Sequence, residues 1–149
     1  DMYEHLLVPV DGSELSQKAM DHAVGLAKML GASITGFTAE PPLPVVVMDQ
    51  AAMAYDVTTY KEHEVRCQAH AKDILDGFAA KAHDVGVTFD GQFVITDDVQ
   101  QAIVDTAQKQ GCDLIVMATH GRHGLDALIH GSLTKSVLAH SQLPLLIVH

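Results

Sequence analysis

Tryptophan is missing from this chain, cysteine occurs twice, and lysine and arginine together number 9 against 19 aspartates and glutamates. Two thiols, Cys67 and Cys112, are too few for a disulfide scaffold, and both are read as reduced. The shortage of cations leaves a formal net charge of −10. That argues against a nucleic-acid coat and against binding to an anionic membrane. Long apolar runs are missing too. The longest, such as Leu114–Ala118 and Pro144–Val148, are strand-sized, so no membrane insertion is expected. The first residues show no basic stretch leading into a signal-peptide core, and the expected location is cytoplasmic.

What is present is the composition of a folded domain. Hydrophobic residues make up 48% and charged residues 19%, which excludes a disordered chain. A chain of 149 residues buries roughly 68–70% of its unfolded surface, enough for one ordinary core. A single domain over residues 1–149 is expected.

Glycine and proline punctuate the sequence regularly. Leu6–Val10 is a continuous apolar run, the pattern of a strand buried on both faces. Asp11-Gly12-Ser13 breaks it, and Ser13 is a good N-cap for a helix from about Glu14 to Leu30. Leu15, Ala19, Ala23, Leu26, Ala27 and Leu30 share one face of that helix, and Gly31 ends it. Ser33–Thr38 reads as a second strand. The prolines after Glu40 exclude helix interior and central strand, and the connection from Pro41 to Val57 is long enough for a functional loop or lid. Thr59 and Glu62 form a capping box for a helix to about Val85. Its expected apolar face is Tyr60, Cys67, Ala71, Ile74, Leu75, Phe78, Ala82 and Val85. Val87–Ile95 is a third strand. Asp97, with Gln100 three residues on, starts a helix that Gly111 ends. Leu114–Ala118 is a fourth buried strand, followed by a polar, glycine-bearing segment from Thr119 to Ser132. A helix over about Ser132–Ala139 and a strand over Pro144–Val148 complete the chain.

Strands and helices thus alternate, the pattern of a parallel sheet with helices on both faces. In such sheets ligands sit beyond the carboxyl ends of the strands, where strand order reverses. The pattern leaves the order open. With order 3-2-1-4-5 the reversal falls between strands 1 and 4, and the segments Asp11–Ser13 and Thr119–Ser132 follow those two strands.

The run Ala118-Thr119-His120-Gly121-Arg122-His123-Gly124, with Gly131-Ser132-Leu133-Thr134, is a candidate anion site. Gly121 lets backbone approach a ligand closely. Gly131-Ser132 stands at a helix start, where free N–H groups and the helix dipole favour phosphate. On the residues alone, a plain loop with a serine cap accounts for the pattern equally well. There is no Walker A pattern, no G-x-G-x-x-G after a strand and no G-x-S-x-G elbow. Asp126 is the only acid after Leu114, so no base is evident at the phosphate end and any ATP hydrolysis is expected to be slow. The scarcity of acids there also reconciles the overall −10 with one small anion.

These segments resemble the universal stress protein family in its nucleotide-binding branch. The resemblance is carried by Leu7-Val8-Pro9-Val10-Asp11-Gly12-Ser13, by Asp113 through Arg122, and by Gly131-Ser132 with Pro144–Val148. It covers nearly the whole chain apart from Glu40 to Val57. It implies a Rossmann-like, adenine nucleotide alpha hydrolase-like α/β fold: a five-stranded parallel sheet in the order 3-2-1-4-5 with helices on both faces. The family's ATP motif is Gly, two residues, Gly, nine residues, then Gly-Ser or Gly-Thr. Here it reads Ala118, Gly121, Gly131, Ser132, so alanine replaces the first glycine, beside the ribose.

The resemblance implies that Pro9, Val10 and Asp11, with Thr38 and Ala39, line the adenine and ribose side. Met117 and Ala118 would touch the ribose. Gly121, Arg122, Gly131, Ser132, Leu133 and Thr134 would hold the phosphates, Leu133 through its amide. The ligand implied is ATP, with Mg²⁺ reached mainly through waters and the nucleotide itself. No catalytic residue is assigned. Asp11 has a rival role as a cap for the following helix. The resemblance also implies a homodimer through the C-terminal strand Leu143–Val148, whose apolar edge a two-fold partner would cover. The function implied is stress-response regulation through nucleotide-dependent conformation or an unidentified protein client, with little or no turnover. Two alternatives stand beside it. One is a nucleotide-free homodimeric interaction module, prompted by Ala118 and the apolar Pro42–Tyr55 stretch. The other is a slow ATP hydrolase or nucleotide-transfer enzyme.

Ten histidines invite a metal reading. His63, Cys67 and His70 lie at i, i+4 and i+7 of one helix, spacing that suits metal ligands. Cys67 falls on the apolar face, however, and a buried thiol with boundary histidines is the preferred account, with no metal site expected. His120 and His123 are read either as charge near phosphate when protonated, or as loop histidines in solvent.

Overall fold

A computed structural model of the chain describes residues 2–44, 47–48, 51–52, 57–119 and 132–149, with the backbone alone for 47–48, 51–52 and 132. Leu6, Leu7 and Val8 are fully buried, as a strand covered on both faces requires. They form the middle of β1 (His5–Pro9). The chain continues through α1 (Glu14–Leu30), β2 (Ser33–Glu40), the short β3 (Val47–Met48) and β4 (Ala51–Ala52), and α2 (Val57–Asp84). It ends with β5 (Phe89–Ile95), α3 (Val99–Lys109), β6 (Leu114–Ala118), α4 (Ser132–His140) and β7 (Leu145–Val148).

The main sheet runs β5-β2-β1-β6-β7 with every pairing parallel. Counting its strands alone, that is the order 3-2-1-4-5. Strands β3 and β4 form a separate antiparallel pair within the long connection between β2 and α2; the rest of that connection from residue 45 to 56 lies outside the described residues.

Alternate side chains of β1 enter two different cores. Leu6 and Val8 pack with Ala19, Met20 and Ala23 of α1 and Phe78 of α2. Leu7 packs with Ile103 and Ala107 of α3 and Val137 of α4. Helices therefore cover both faces of the sheet. Where α2 crosses β2 and β5, the rings of Phe78 and Phe89 lie 4.9 Å apart. A Cβ on Gly36 would stand 2.6 Å from the Phe89 ring, so this strand position has room only for glycine.

Helix boundaries follow local chemistry. Ser13 Oγ accepts the Ser16 N–H at 3.1 Å and opens α1. Gly31, at φ 68°, closes it in the left-handed conformation that glycine adopts at no cost. The buried stripe of α1 is Ser16, Ala19, Met20, Ala23, Val24 and Ala27, whereas Leu30 is exposed and Leu15 and Leu26 are half-buried. The expected stripe is thus displaced. Small residues let the helix lie close to the sheet, and the leucines flank that seam.

Two helix starts differ from expectation. Helix α2 begins at Val57, so Thr59 and Glu62 lie within its first turns and do not cap it. None of residues 57–66 is buried, and burial begins at Cys67. Tyr60 and Val85, at the two ends of the expected apolar face, are exposed. Helix α3 is capped by Asp98, whose carboxylate accepts the Gln101 N–H at 3.2 Å; Asp97 lies one residue outside.

Candidate functional site

A cavity of 610 Å³ opens at the carboxyl ends of the strands. Pro9, Val10 and Asp11 reach it from β1, and Phe37, Ala39, Glu40 and Pro41 from β2. Thr96, Asp97 and Val99 come from the exit of β5, Met117 and Ala118 from β6, and Leu133 from the first turn of α4. The cavity therefore spans the point between β1 and β6 where strand order reverses. Its walls are tied past the ends of the regular strands. Val10 N donates to Phe37 O at 2.8 Å, and Thr96 N donates to Glu40 O at 2.9 Å.

Asp11 holds the turn between β1 and α1. Its carboxylate accepts the Ser13 N–H at 3.0 Å, and its own N–H donates to Ser16 Oγ at 2.9 Å. Gly12 turns the chain at φ 83°. The capping role and a place on the cavity wall thus coincide in one residue. Thr134 Oγ1 donates to Ala118 O at 3.2 Å and docks α4 on the end of β6.

The structure brings Pro9, Val10, Asp11, Ala39, Met117, Ala118 and Leu133 together on this wall. Thr134 sits behind it, bonded to Ala118. Thr38 is not on the wall. It alternates with Phe37 and Ala39, and its hydroxyl is buried without a hydrogen-bond partner among the described residues. Ser132 opens α4, and its side chain is not described. Gly121, Arg122 and Gly131, with His120 and His123, lie outside the described residues. Sequence reasoning did not assign Phe37, Glu40, Pro41, Thr96, Asp97 or Val99 to the nucleotide site, although it read Asp97 as a helix start and Pro41 as the beginning of a functional loop. The reversal of strand order points to the ends of β2 and β5 once the order is known, and order is the datum that periodicity lacks.

The charged residues on the described wall are all acidic: Asp11, Glu40 and Asp97. Such a surface suits hydroxyl and amino donors better than phosphate oxygens. Glu40 is 5% exposed, and its Oε1 is hydrogen-bonded to Nδ1 of His70 on α2. His63 Nε2, two turns earlier, lies 2.8 Å from Pro41 O and 3.4 Å from Cys67 Sγ. The two histidines thus turn to different acceptors, and among the described residues no three His, Cys, Asp or Glu side chains are arranged to hold a metal ion. Burial, and then the Glu40 carboxylate, push the Cys67 thiol up.

A second cavity of 460 Å³ lies between α3 and α4, at the amino ends of β6 and β7. Cys112 lines it, with its thiol pushed up to about 11 mainly by burial and further by Asp113, against a hydrogen bond from Thr35. A protonated thiol is a poor nucleophile and a poor ligand, so this cavity carries no evident chemistry.

A five-stranded doubly wound sheet with a cavity at its switch point defines a Rossmann-like α/β protein of ligand-binding type. The profile of the Universal stress protein family matches residues 2–149, and the chain belongs to that family. Universal stress protein YxiE of Bacillus subtilis is 30% identical over 149 residues, which cover 99% of each chain. Among solved structures, that of protein MJ0577 of Methanocaldococcus jannaschii superposes with a TM-score of 0.82 at 24% identity, covering 99% of this chain and 96% of that one. A universal stress protein in complex with cAMP is similar at TM-score 0.69 and 23% identity, covering 100% of this chain and 98% of that one. One from Archaeoglobus fulgidus in complex with dAMP is similar at TM-score 0.67 and 16% identity, covering all of both chains. Among the described residues no helix is long and apolar enough to cross a membrane.

Proposed function

We propose that this protein binds an adenine nucleotide, ATP, in the cavity between β1 and β6, and works as a cytoplasmic stress-response regulator. The observation that carries the reading is the 610 Å³ cavity at the switch point, with Asp11 and Ala118 in its lining. Its acidic and apolar described half suits adenosine: carboxylates accept from ribose hydroxyls and from an exocyclic amine, and Val10, Phe37 and Met117 offer apolar surface to a base. The first turn of α4 faces the same cavity through Leu133, so phosphates would run toward the segment from Thr119 to Ser132. Gly121, Arg122, Gly131, Ser132 and Thr134 are the residues proposed to hold them, with Mg²⁺ bridging through waters. Relatives solved with cAMP and with dAMP support an adenine ligand.

The proposed action is a ligand-dependent shape offered to a protein client, with little or no turnover. The described wall places no lysine, arginine or histidine against the ligand. Electrostatic clamping of a transferring phosphoryl group, the main source of rate in such reactions, has no support from this wall. The direct experiment is to denature pure protein and chromatograph the small molecules released. Adenine nucleotide in the supernatant upholds the reading, and its absence, together with no heat on titrating ATP and Mg²⁺, sinks it.

A second reading, a nucleotide-free interaction module, is favoured by one residue. Ala118 lines the cavity where the family motif has glycine. Its methyl group takes space beside the proposed ribose. Restoring glycine separates the readings: Ala118→Gly tightens ATP binding if the cavity is a nucleotide site and changes nothing if it is not.

A further inference from the structure

We propose that His63 and His70 are positioning residues of the ligand cavity: from α2 they hold the end of β2 in place, and protonation of His70 tightens that hold and with it the grip on a nucleoside. The ligand rests on the nucleotide reading above; the hold rests on geometry alone.

Glu40 and Pro41 form the cavity wall where β2 ends. A carboxylate buried to this degree is costly unless it is paired. The pairing comes from His70 Nδ1 on α2, whose side chain is 48% exposed. Seven residues earlier on the same helix face, His63 Nε2 reaches Pro41 O at 2.8 Å. A carbonyl only accepts, so His63 carries its hydrogen on Nε2. Cys67 Sγ, 3.4 Å from that nitrogen, is therefore an acceptor in this contact and otherwise a neutral packing group. Two histidines thus fasten two successive residues of the wall. Because Thr96 N donates to Glu40 O at 2.9 Å, a shift of Glu40 would also carry Thr96 and Asp97, the wall's next stretch.

The hold depends on charge. An imidazolium donates to a carboxylate with its full charge, a neutral imidazole with its dipole alone. Imidazole changes charge between about pH 5 and 8. The wall is thus held more firmly when His70 carries the second proton than when it does not. Among the described residues, the titratable or charged groups three or four places from His70 on α2 are Arg66, Cys67 and Asp73. From β2 there is Glu40. The titratable residue of β5 is Asp90, the register partner of Thr35, five positions before Glu40 along β2. From α1, Asp21 is engaged 2.8 Å from Lys81, three turns further along α2.

Adenosine is the probe, because it has no phosphate to titrate over this range. Calorimetry should show wild-type binding about fivefold weaker near pH 8.5 than near pH 6. His70→Asn keeps a donor close to the Nδ1 position but cannot charge, so it should retain the high-pH affinity and lose the pH dependence. Glu40→Gln should flatten the profile as well. His63→Ala should bind about threefold more weakly at both pH values while keeping the slope. In ligand-free protein, exchange of the Thr96 amide, corrected for its intrinsic rate, should quicken from the lower to the higher pH in wild type and not in His70→Asn. A wild-type affinity independent of pH, or a slope that survives in His70→Asn, overturns the proposal while leaving the nucleotide reading intact. If adenosine and ATP fail to bind at any pH, the nucleotide reading falls and the coupling to affinity falls with it. The exchange data then decide the hold by themselves: a pH-dependent Thr96 amide that becomes indifferent in His70→Asn upholds it, and equal behaviour of the two proteins overturns it.

Discussion

Cys112 stands just before β6, 7% exposed, where burial raises its thiol from 9.0 to about 11. The folded state therefore favours the protonated thiol over the thiolate. A raised pKa in the folded state contributes stability that is complete below the unfolded value of 9.0 and lost as pH rises through about 11. Urea midpoints measured across that alkaline window should fall more steeply for wild type than for Cys112→Ala; parallel slopes would show that burial does not control this thiol. Glu40 makes the complementary case. Its neighbours, Thr38 and Ala39, were legible as site candidates through resemblance, yet alternation along β2 puts Ala39 on the cavity wall and Thr38 on the other face. The prolines that follow Glu40 exclude helix interior and central strand and say nothing of its burial. Glu40 is buried and paired with His70, 30 residues away, and no local pattern reports such a pairing.

The elements were legible wherever their ends are marked by chemistry and their middles by burial. Glu14–Leu30 and Leu114–Ala118 match the expected spans because Ser13 and Gly31 bound the first, and the second is an apolar run buried on both faces. The start of α2 was not legible, since ten unburied residues carry no apolar period. The start of α3 was off by one because Asp97 and Asp98 are both competent caps; only geometry shows Asp98 bonded to Gln101 N and Asp97 on the cavity. The two aspartates should therefore separate by experiment. Asp98→Ala should cost about 1 kcal/mol of folding stability by urea denaturation, with adenosine binding retained. Asp97→Ala should leave stability within about 0.5 kcal/mol and weaken adenosine binding. The reverse outcome would exchange their roles.

At the scale of the molecule, the sheet has two edges, β5 and β7. Leu146 on β7 is 40% exposed and Leu138 on the neighbouring α4 is 64% exposed. An apolar edge strand is the kind of surface that a second copy covers, and the proposed homodimer uses it. Light scattering should give twice the chain mass for wild type and a single chain mass for Leu146→Lys. A monomeric wild type would remove the dimer. Sequence alternation predicted the layered sheet, and resemblance supplied the strand order that alternation leaves open. The order then places the cavity, since reversal between β1 and β6 brings four strand ends around one space.

The claim that this space holds a nucleotide is tested most directly by calorimetric titration of ATP with Mg²⁺ into nucleotide-stripped protein, wild type beside Ala118→Val. The expected result is one ATP per chain, weakened about tenfold by the larger side chain beside the proposed ribose. Absence of heat in wild type, or equal affinity in the two proteins, would contradict the assignment.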